Sequence, residues 1–457
     1  MATPTSNSVT TTSFGLSTLG DARYLAHGTK WGGGLGTGVA LTYSFPGSTA
    51  YFETGYSEFQ TYTAFNATEQ AAVRLALATW SSVAAINFVQ LADNSTTVGE
   101  LRFAKSTEPA FAYAYLPGNY VAAGDSWYDT AEWNTGSNAI VRGDYDFNTL
   151  IHEIGHALGL KHSFETPNAI PAARDSFFYT VMSYTAAPFS VKGDNYASFY
   201  PTTPMFNDIV AMQAIYGRNP NHNAGNTTYT FNDGSRYFQT IDDVGGYDTI
   251  VFNGNQSCKI DLRIGFANQV SEAIDFSTRT SRDTVYIGPK TDIERAIGGN
   301  GADMLIGNSK ANALLGRAGG DTLLGGAGND NLTGGPGRDT LSGGTEGDIF
   351  RFETGLDSGT TDATYDVILD FVVNVDELHF TAMDASTVLA NNNDFVWRGT
   401  GGISTSAVGE LRYQKFDFAN TANDYTLVYG DTDADAAAEF IIRLKGLVTL
   451  SAADIIV

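Results

Sequence analysis

The sequence predicts two domains: an α+β N-terminal domain, then an all-β C-terminal domain in which parallel strands coil into a roll and close as a sandwich. Three observations carry this. The chain has 457 residues, too many for one ordinary core. Its clear helical patterns all precede Gly217. From Gly298 to about residue 352 the sequence repeats with period nine. The turn-rich stretch from Gly217 to Gly225 marks the boundary, so the expected division is 17–220 and 221–457. His222 lies in that linker and reads as a surface histidine.

Residues 1–16 are rich in Ser and Thr and read as a disordered start or a short pro-segment. They have neither a basic region nor an apolar one, so they do not read as a Sec signal. Asp21 to Trp31 reads as a short helix and turn, and Leu41 to Phe45 as a strand. Asn66 to Ala85 reads as a helix. Asn66 and Glu69 have capping-box spacing, and Val73, Leu77, Trp80 and Ala84 form the buried face. Two strand-like runs lie within 86–103. Phe206 to Tyr216 is a further helix with Ile209, Met212 and Ile215 in its core.

Between these helices, residues 152–162 read H-E-x-x-H-x-x-G-x-x-H. On a helix of about 3.6 residues per turn, His152 and His156 stack on one face and aim two imidazoles at one point. Glu153 leans over the same point without ligating. A continuing helix would carry His162 roughly 15 Å along the axis from His152. The chain must therefore turn back, and Gly159 stands where a left-handed cap reverses it. Three imidazoles on one metal with an open fourth position are the arrangement of a catalytic zinc site.

The pattern resembles the metzincins, and Thr180-Val181-Met182-Ser183-Tyr184 resembles their Met-containing turn. The Met-Ser-Tyr form is similar to the serralysins, secreted bacterial metalloproteases. The resemblance implies an N-terminal metzincin-type catalytic domain with one Zn²⁺ on His152, His156 and His162. It also implies Tyr184 as a displaceable further ligand that stabilises the oxyanion, Met182 as the floor of the site, and a short propeptide. Glu153 would move the proton of a zinc-activated water. The segments Thr29 to Phe45 and Gly124 to Tyr128 are also similar to the family. Phe111 to Gly118 resembles the edge strand beside the cleft, so Ala112, Tyr113, Ala114 and Tyr115 would take a peptide as an added strand. Such pairing is mostly backbone to backbone and implies broad specificity. Ser163 stands where the family usually has proline.

The repeat follows G-G-x-G-x-D-x-U-x, with U a large apolar residue. Six residues form a turn offering carbonyls, and the sixth adds a hard carboxylate oxygen for calcium. The expected ligand positions are Gly298, Gly299, Gly301 and Asp303, then Gly316 and Asp321. Gly325, Gly326, Gly328 and Asp330 follow, then Gly334, Gly335, Gly337 and Asp339, and last Gly343, Gly344 and Asp348. Asn312 in the second copy weakens or removes a site. Leu305, Leu314, Leu323, Leu332 and Leu341 point inward. The resemblance adds Glu294 as a further calcium ligand. Gly246 to Thr249 and Arg282 to Thr284 read as acidic strand-turns flanking the roll. Residues 353–457 alternate apolar and polar, which suggests antiparallel strands closing the domain.

Composition narrows the partners. Twenty-six basic and 50 acidic residues give a net charge of −24, against nucleic acid or an anionic membrane and compatible with several structural calcium ions. No run of about eighteen apolar residues spans a membrane. One cysteine, Cys258, permits no internal disulfide and reads as buried, so calcium replaces the missing staple. The end, Asp454-Ile455-Ile456-Val457, resembles the uncleaved C-terminal signal of type I secretion, and also reads as a last strand. The whole predicts a secreted, monomeric, calcium-stabilised zinc endopeptidase. Its expected partners are protein substrates, a type I secretion apparatus and a proteinaceous inhibitor. The rivals are a non-catalytic adhesion protein with a relic protease domain, and a protease with one narrow target.

Overall fold

The computed structural model describes residues 9–457 except 53–56, 135–138, 387–392, 405–408, 420, 434 and 436. The chain forms two compact units. The first comprises Met1–Ala224, Arg236–Val244 and Glu272–Thr291, and the second Gly225–Ser235, Gly245–Ser271 and Asp292–Val457. Two segments beyond the linker thus return to the first unit, where Gln239–Ile241 and Val285–Ile287 pair in parallel. Arg282 to Thr284, expected beside the roll, belongs to that returning part. Acidic turn chemistry gave no information on which core the segment joins.

In the first unit, β1 (Thr11–Ser13) pairs antiparallel with β2 (Thr29–Trp31). Residues 11–13 are therefore an ordered strand rather than loose chain, because backbone pairing satisfies a Ser/Thr-rich segment that lacks apolar anchors. Residues 1–8 of the expected pro-segment lie outside the described residues. A five-stranded sheet follows, built from β3 (Val39–Ser44), β4 (Ile86–Gln90), β5 (Leu101–Ser106), β6 (Ala112–Ala114) and β7 (Ser126–Asp129), in the order β4-β3-β5-β7-β6. All neighbours are parallel except β6, which runs antiparallel to β7 at the edge.

Helix α1 (Ala67–Val83) starts at the capping box. Asn66 Oδ1 accepts from the amides of Thr68 and Glu69, and Glu69 Oε2 accepts from that of Asn66. Val73, Leu77, Trp80 and Ala84 are buried. Trp80 reaches helix α2 (Tyr145–Ala157), donating from Nε1 to Ile151 O at 3.1 Å. Helix α3 (Phe206–Tyr216) buries Ile209, Met212 and Ile215.

The second unit is a roll of short parallel strands alternating between two sheets. Arg295–Ile297, Ala313–Leu315, Asn331–Thr333 and Ile349–Arg351 follow one another in one sheet. Met304–Ile306, Thr322–Ala327 and Thr340–Thr345 do so in the other. Each coil thus spends two nine-residue repeats. Leu305, Leu323 and Leu341 stack in register, as do Leu314 and Leu332, and all five are buried. Cys258 is buried and free.

The expected antiparallel closure is only partly realised. Glu410–Phe416, Tyr425–Asp431 and Phe440–Lys445 are antiparallel neighbours. Asp366–Ile368, Glu377–His379 and the last strand, Ile455–Ile456, instead extend the roll in parallel. Alternation reports one buried face and is blind to strand direction. Among the described residues no helix is long and apolar enough to cross a membrane.

Candidate metal centre and cleft

Helix α2 ends where its carbonyls find side-chain donors. Trp31 Nε1 donates to Ala157 O at 2.8 Å, and Tyr216 Oη to Leu158 O at 2.7 Å. Those donors replace the lost helical amides. Gly159 then takes φ +105°, and a Cβ there would collide with Thr29 O. Leu160 N–H bonds back to Gly155 O, and Lys161 N–H to Leu25 O at 2.7 Å. This reversal brings His162 to the helix face.

The three imidazoles meet. His156 Nε2 lies 3.0 Å from His152 Nε2 and 3.1 Å from His162 Nε2. Each Nδ1 is committed elsewhere. That of His152 donates to Val181 O at 2.7 Å, that of His156 to Leu160 O at 2.8 Å, and that of His162 to the Glu165 carboxylate. A carbonyl only accepts, so Nδ1 of His152 and of His156 carries the proton, and their Nε2 lone pairs face the common point. Burial pushes His152 down to about 3 and His156 well below the usual imidazole range, which keeps both neutral. Nitrogen lone pairs this close, with no donor between them, fit a shared metal ion.

Glu153 is buried, and its Oε2 has no hydrogen-bond partner among the described residues. Burial pushes its carboxyl up to about 8. Tyr184 stands half exposed with Oη 2.7 Å from His162 Nε2, and burial together with the nearby Glu153 raises its phenol to about 12. Met182 is fully buried beneath the helix, and a Cβ on Gly155 would lie 2.7 Å from its Sδ.

The Met-containing turn is held by two aspartates that the sequence did not single out. Asp208 of α3 accepts from Thr180 Oγ1 at 2.6 Å and from the Val181 amide at 2.8 Å. Burial still pushes its carboxyl up to about 7. Asp175 Oδ1 accepts from Ser163 Oγ at 2.5 Å and from Ser183 Oγ at 2.7 Å. Ser163, the departure from proline, thereby ties the exit of His162 to the turn bearing Tyr184.

A cleft of about 190 Å³ opens on this centre, lined by Ala112, Tyr113 and Ala114 as well as Glu153, His162 and Tyr184. Tyr115, grouped with them from sequence, is not part of the lining. The hydroxyls of Tyr113 and Tyr115 both donate to Oε1 of the buried Glu58, which fixes the edge strand from behind.

In the second unit the sixth-position carboxylates form a ladder. The amides of Asp303, Asn312, Asp321 and Asp330 donate to Oδ1 of Asp321, Asp330, Asp339 and Asp348, at 2.7 to 2.9 Å. Asp366 and Asp376 continue it outside the repeat, accepting from Asp339 and Asp348. The second oxygens of Asp321, Asp330, Asp339, Asp348 and Asp366 are buried without partners among the described residues. Each repeat's first glycine makes room for that oxygen: a Cβ on Gly334 would overlap Asp339 Oδ2. Buried, unpartnered carboxylate oxygens beside glycine turns fit a hard cation. Asn312 instead accepts from the Asn308 amide and donates to Ile293 O. Glu294 Oε2 accepts from the Asp248 amide at 2.7 Å.

A three-histidine centre with a Met floor, set between an edge strand and a capped helix, defines a metzincin-type metallopeptidase domain. Residues 54–174 match the family model described as Matrixin, and residues 207–457 match Peptidase M10 serralysin C terminal. A Serralysin C of Dickeya chrysanthemi is 34% identical over 93% of this chain and 86% of its own length. The chain belongs to the serralysin family. Against the Serralysin of Photorhabdus luminescens it is 34% identical over 54% of the chain and 53% of the relative, and against Metallopeptidase AprA of Pseudomonas marginalis 32% over 59% and 60%. In those two alignments the chain spans little more than half the length of the relative it matches.

Proposed function

We propose that the protein is a zinc-dependent endopeptidase that cuts protein chains with broad specificity, its second unit stabilised by calcium. The observation that carries this is the convergence of three Nε2 atoms beside a buried, unpartnered Glu153 oxygen, in a cleft bordered by an edge strand. His152, His156 and His162 would hold the zinc, which when bound supplies a water of lowered pKa and a Lewis acid for the scissile carbonyl. Positive charge at the three nitrogens favours the anionic form of Glu153 despite its burial. Glu153 then accepts the proton of the attacking water and hands it to the leaving amine. Tyr184 donates its hydroxyl hydrogen to the developing oxyanion. The peptide aligns by backbone bonds along β6, so its side chains are weakly selected.

The same reading takes the protein to be exported by a type I apparatus through its C-terminal end, and to meet a proteinaceous inhibitor outside. In a casein digestion assay, the zinc-loaded full chain should cut, and a chelator should stop it. Glu153→Gln should retain zinc and lose roughly 10²- to 10⁴-fold in rate. A zinc-loaded chain that leaves casein and a peptide library untouched would end this reading.

A further inference from the structure

The outer face of one roll sheet carries side chains that neither the metal centre nor the glycine turns use. In the strands Arg295–Ile297, Ala313–Leu315, Asn331–Thr333 and Ile349–Arg351, the middle residues Ala296, Leu314, Leu332 and Phe350 are buried in register. The residues on either side of them point outward. One outward row runs Arg295, Ala313, Asn331. The other runs Leu315, Thr333 and then Arg351, one place beyond Phe350. Two arginines thus stand at opposite corners of a floor of shorter side chains. Between them lies a groove of about 260 Å³, whose lining includes Tyr247, Arg295, Asn331, Thr333, Arg351 and Glu353.

The charges of this groove are unspent. The chain holds 50 acidic residues against 26 basic ones, yet neither guanidinium enters an ion pair among the described residues. The carboxylates beside them are engaged elsewhere: Glu377 with His379 Nε2 at 2.6 Å, and Glu294 with the Asp248 amide. Arg295 and Arg351 are three strands apart, about 14 Å across the sheet, which suits acidic groups repeated along a ligand rather than one small anion. Guanidinium forks match carboxylates. Glu353 only accepts when ionised, so the same ligand must also bring donors, and Asn331 and Thr333 serve either kind. Tyr247 is half exposed and offers a ring face. Carboxylates, hydroxyls and an apolar ring face on one chain are the chemistry of a uronate oligosaccharide. An acidic peptide fits less well. It would dock by adding a strand, and each floor strand is already paired on both sides.

We propose that this face of the roll binds an acidic oligosaccharide. Arg295 and Arg351 each hold a carboxylate, and Tyr247, Asn331, Thr333 and Glu353 hold the sugar between them. The site tethers the chain to an acidic polysaccharide and breaks no bond in it. It does not depend on the peptidase reading.

The test is calorimetric titration of the calcium-loaded full chain with three probes: a tetrasaccharide of alternating glucuronate and N-acetylglucosamine, neutral maltotetraose, and a hexapeptide of glutamate. Wild type should bind the acidic tetrasaccharide, more weakly as salt rises, and leave maltotetraose unbound. R295Q/R351Q should bind the acidic tetrasaccharide about tenfold more weakly or worse, while digesting casein as wild type does. Equal affinity in wild type and the double variant would overturn the proposal, as would equal binding of the neutral sugar. Tighter binding of the hexapeptide, lost in the double variant, would make the ligand a peptide and overturn the saccharide assignment. Should the double variant fail to fold, R351Q alone is titrated. Its affinity for the acidic tetrasaccharide should still fall, and a titration identical to wild type counts against the site.

Discussion

Replacing Asp175 by alanine should loosen the metal centre without touching a ligand. Its Oδ1 collects hydroxyls from Ser163, next to His162, and from Ser183, next to Tyr184. Both serines are buried. A hydrogen bond to a charged acceptor contributes about 1.5–3 kcal/mol, so losing both costs at most about 3–6 kcal/mol. Ser163 Oγ keeps an alternative acceptor in Met182 O at 3.3 Å, which lowers the loss to roughly 2–4 kcal/mol. Because the lost bonds orient a ligand loop, zinc affinity should fall about 10- to 100-fold. The assay is zinc competition against a chromophoric chelator, with thermal unfolding of the zinc-loaded chain alongside. D175N keeps an acceptor oxygen and should fall between wild type and alanine. If D175A binds zinc as tightly as wild type while its melting temperature drops, Asp175 is mere scaffold and the positioning argument is wrong.

Tyr184→Phe should keep zinc and the fold, since the three imidazoles all remain, yet lower kcat for peptide hydrolysis by about tenfold or more as the hydroxyl beside His162 Nε2 is lost. Leu323→Ala should destabilise the calcium-loaded second unit by about 2–5 kcal/mol in denaturant unfolding, because Leu323 is fully buried between Leu305 and Leu341. The ion-free roll should show inverted pH dependence. Burial pushes Asp321 and Asp348 up to about 6, Asp330 to about 7, Asp339 to about 8 and Asp366 to about 9. Folded pKa values above the unfolded one mean that folding takes up protons. Stability is then fully present below about pH 4 and lost as pH rises through 6 to 9. Circular dichroism in chelator should show a structured roll near pH 5 that melts near pH 9, and calcium should remove the difference. A roll equally ordered at both pH values without calcium would refute this.

The parts legible in the sequence were those written as local spacing. The capping box at Asn66, the histidine offsets with Gly159, and the nine-residue period each fix neighbours within about one turn or coil. The supports of the site were not legible. Trp31 and Tyr216 cap α2 from 126 and 58 residues away, and Asp208 holds Thr180 across 28. Such contacts leave no periodic trace. Asp366 and Asp376 escaped for a related reason: they sit 27 and 28 residues beyond Asp339 and Asp348, where the repeat would place them at 18. The ladder outlasts the period because a longer loop can still deliver a carboxylate to the same rung.

That ladder has a direction. Every rung is an amide of one coil held by the side chain of the coil that comes later in the chain. A nascent roll growing from its N-terminal side always ends on an amide whose acceptor has not yet arrived. One growing from the far end always presents a finished carboxylate to the coil about to dock. The two ends of this quasi-one-dimensional stack are therefore chemically unlike, one closing on an amide and the other on a carboxylate. Removing Asp366 and Asp376 would leave the amides of Asp339 and Asp348 without their acceptors, whereas removing the first coil would free only carboxylate oxygens.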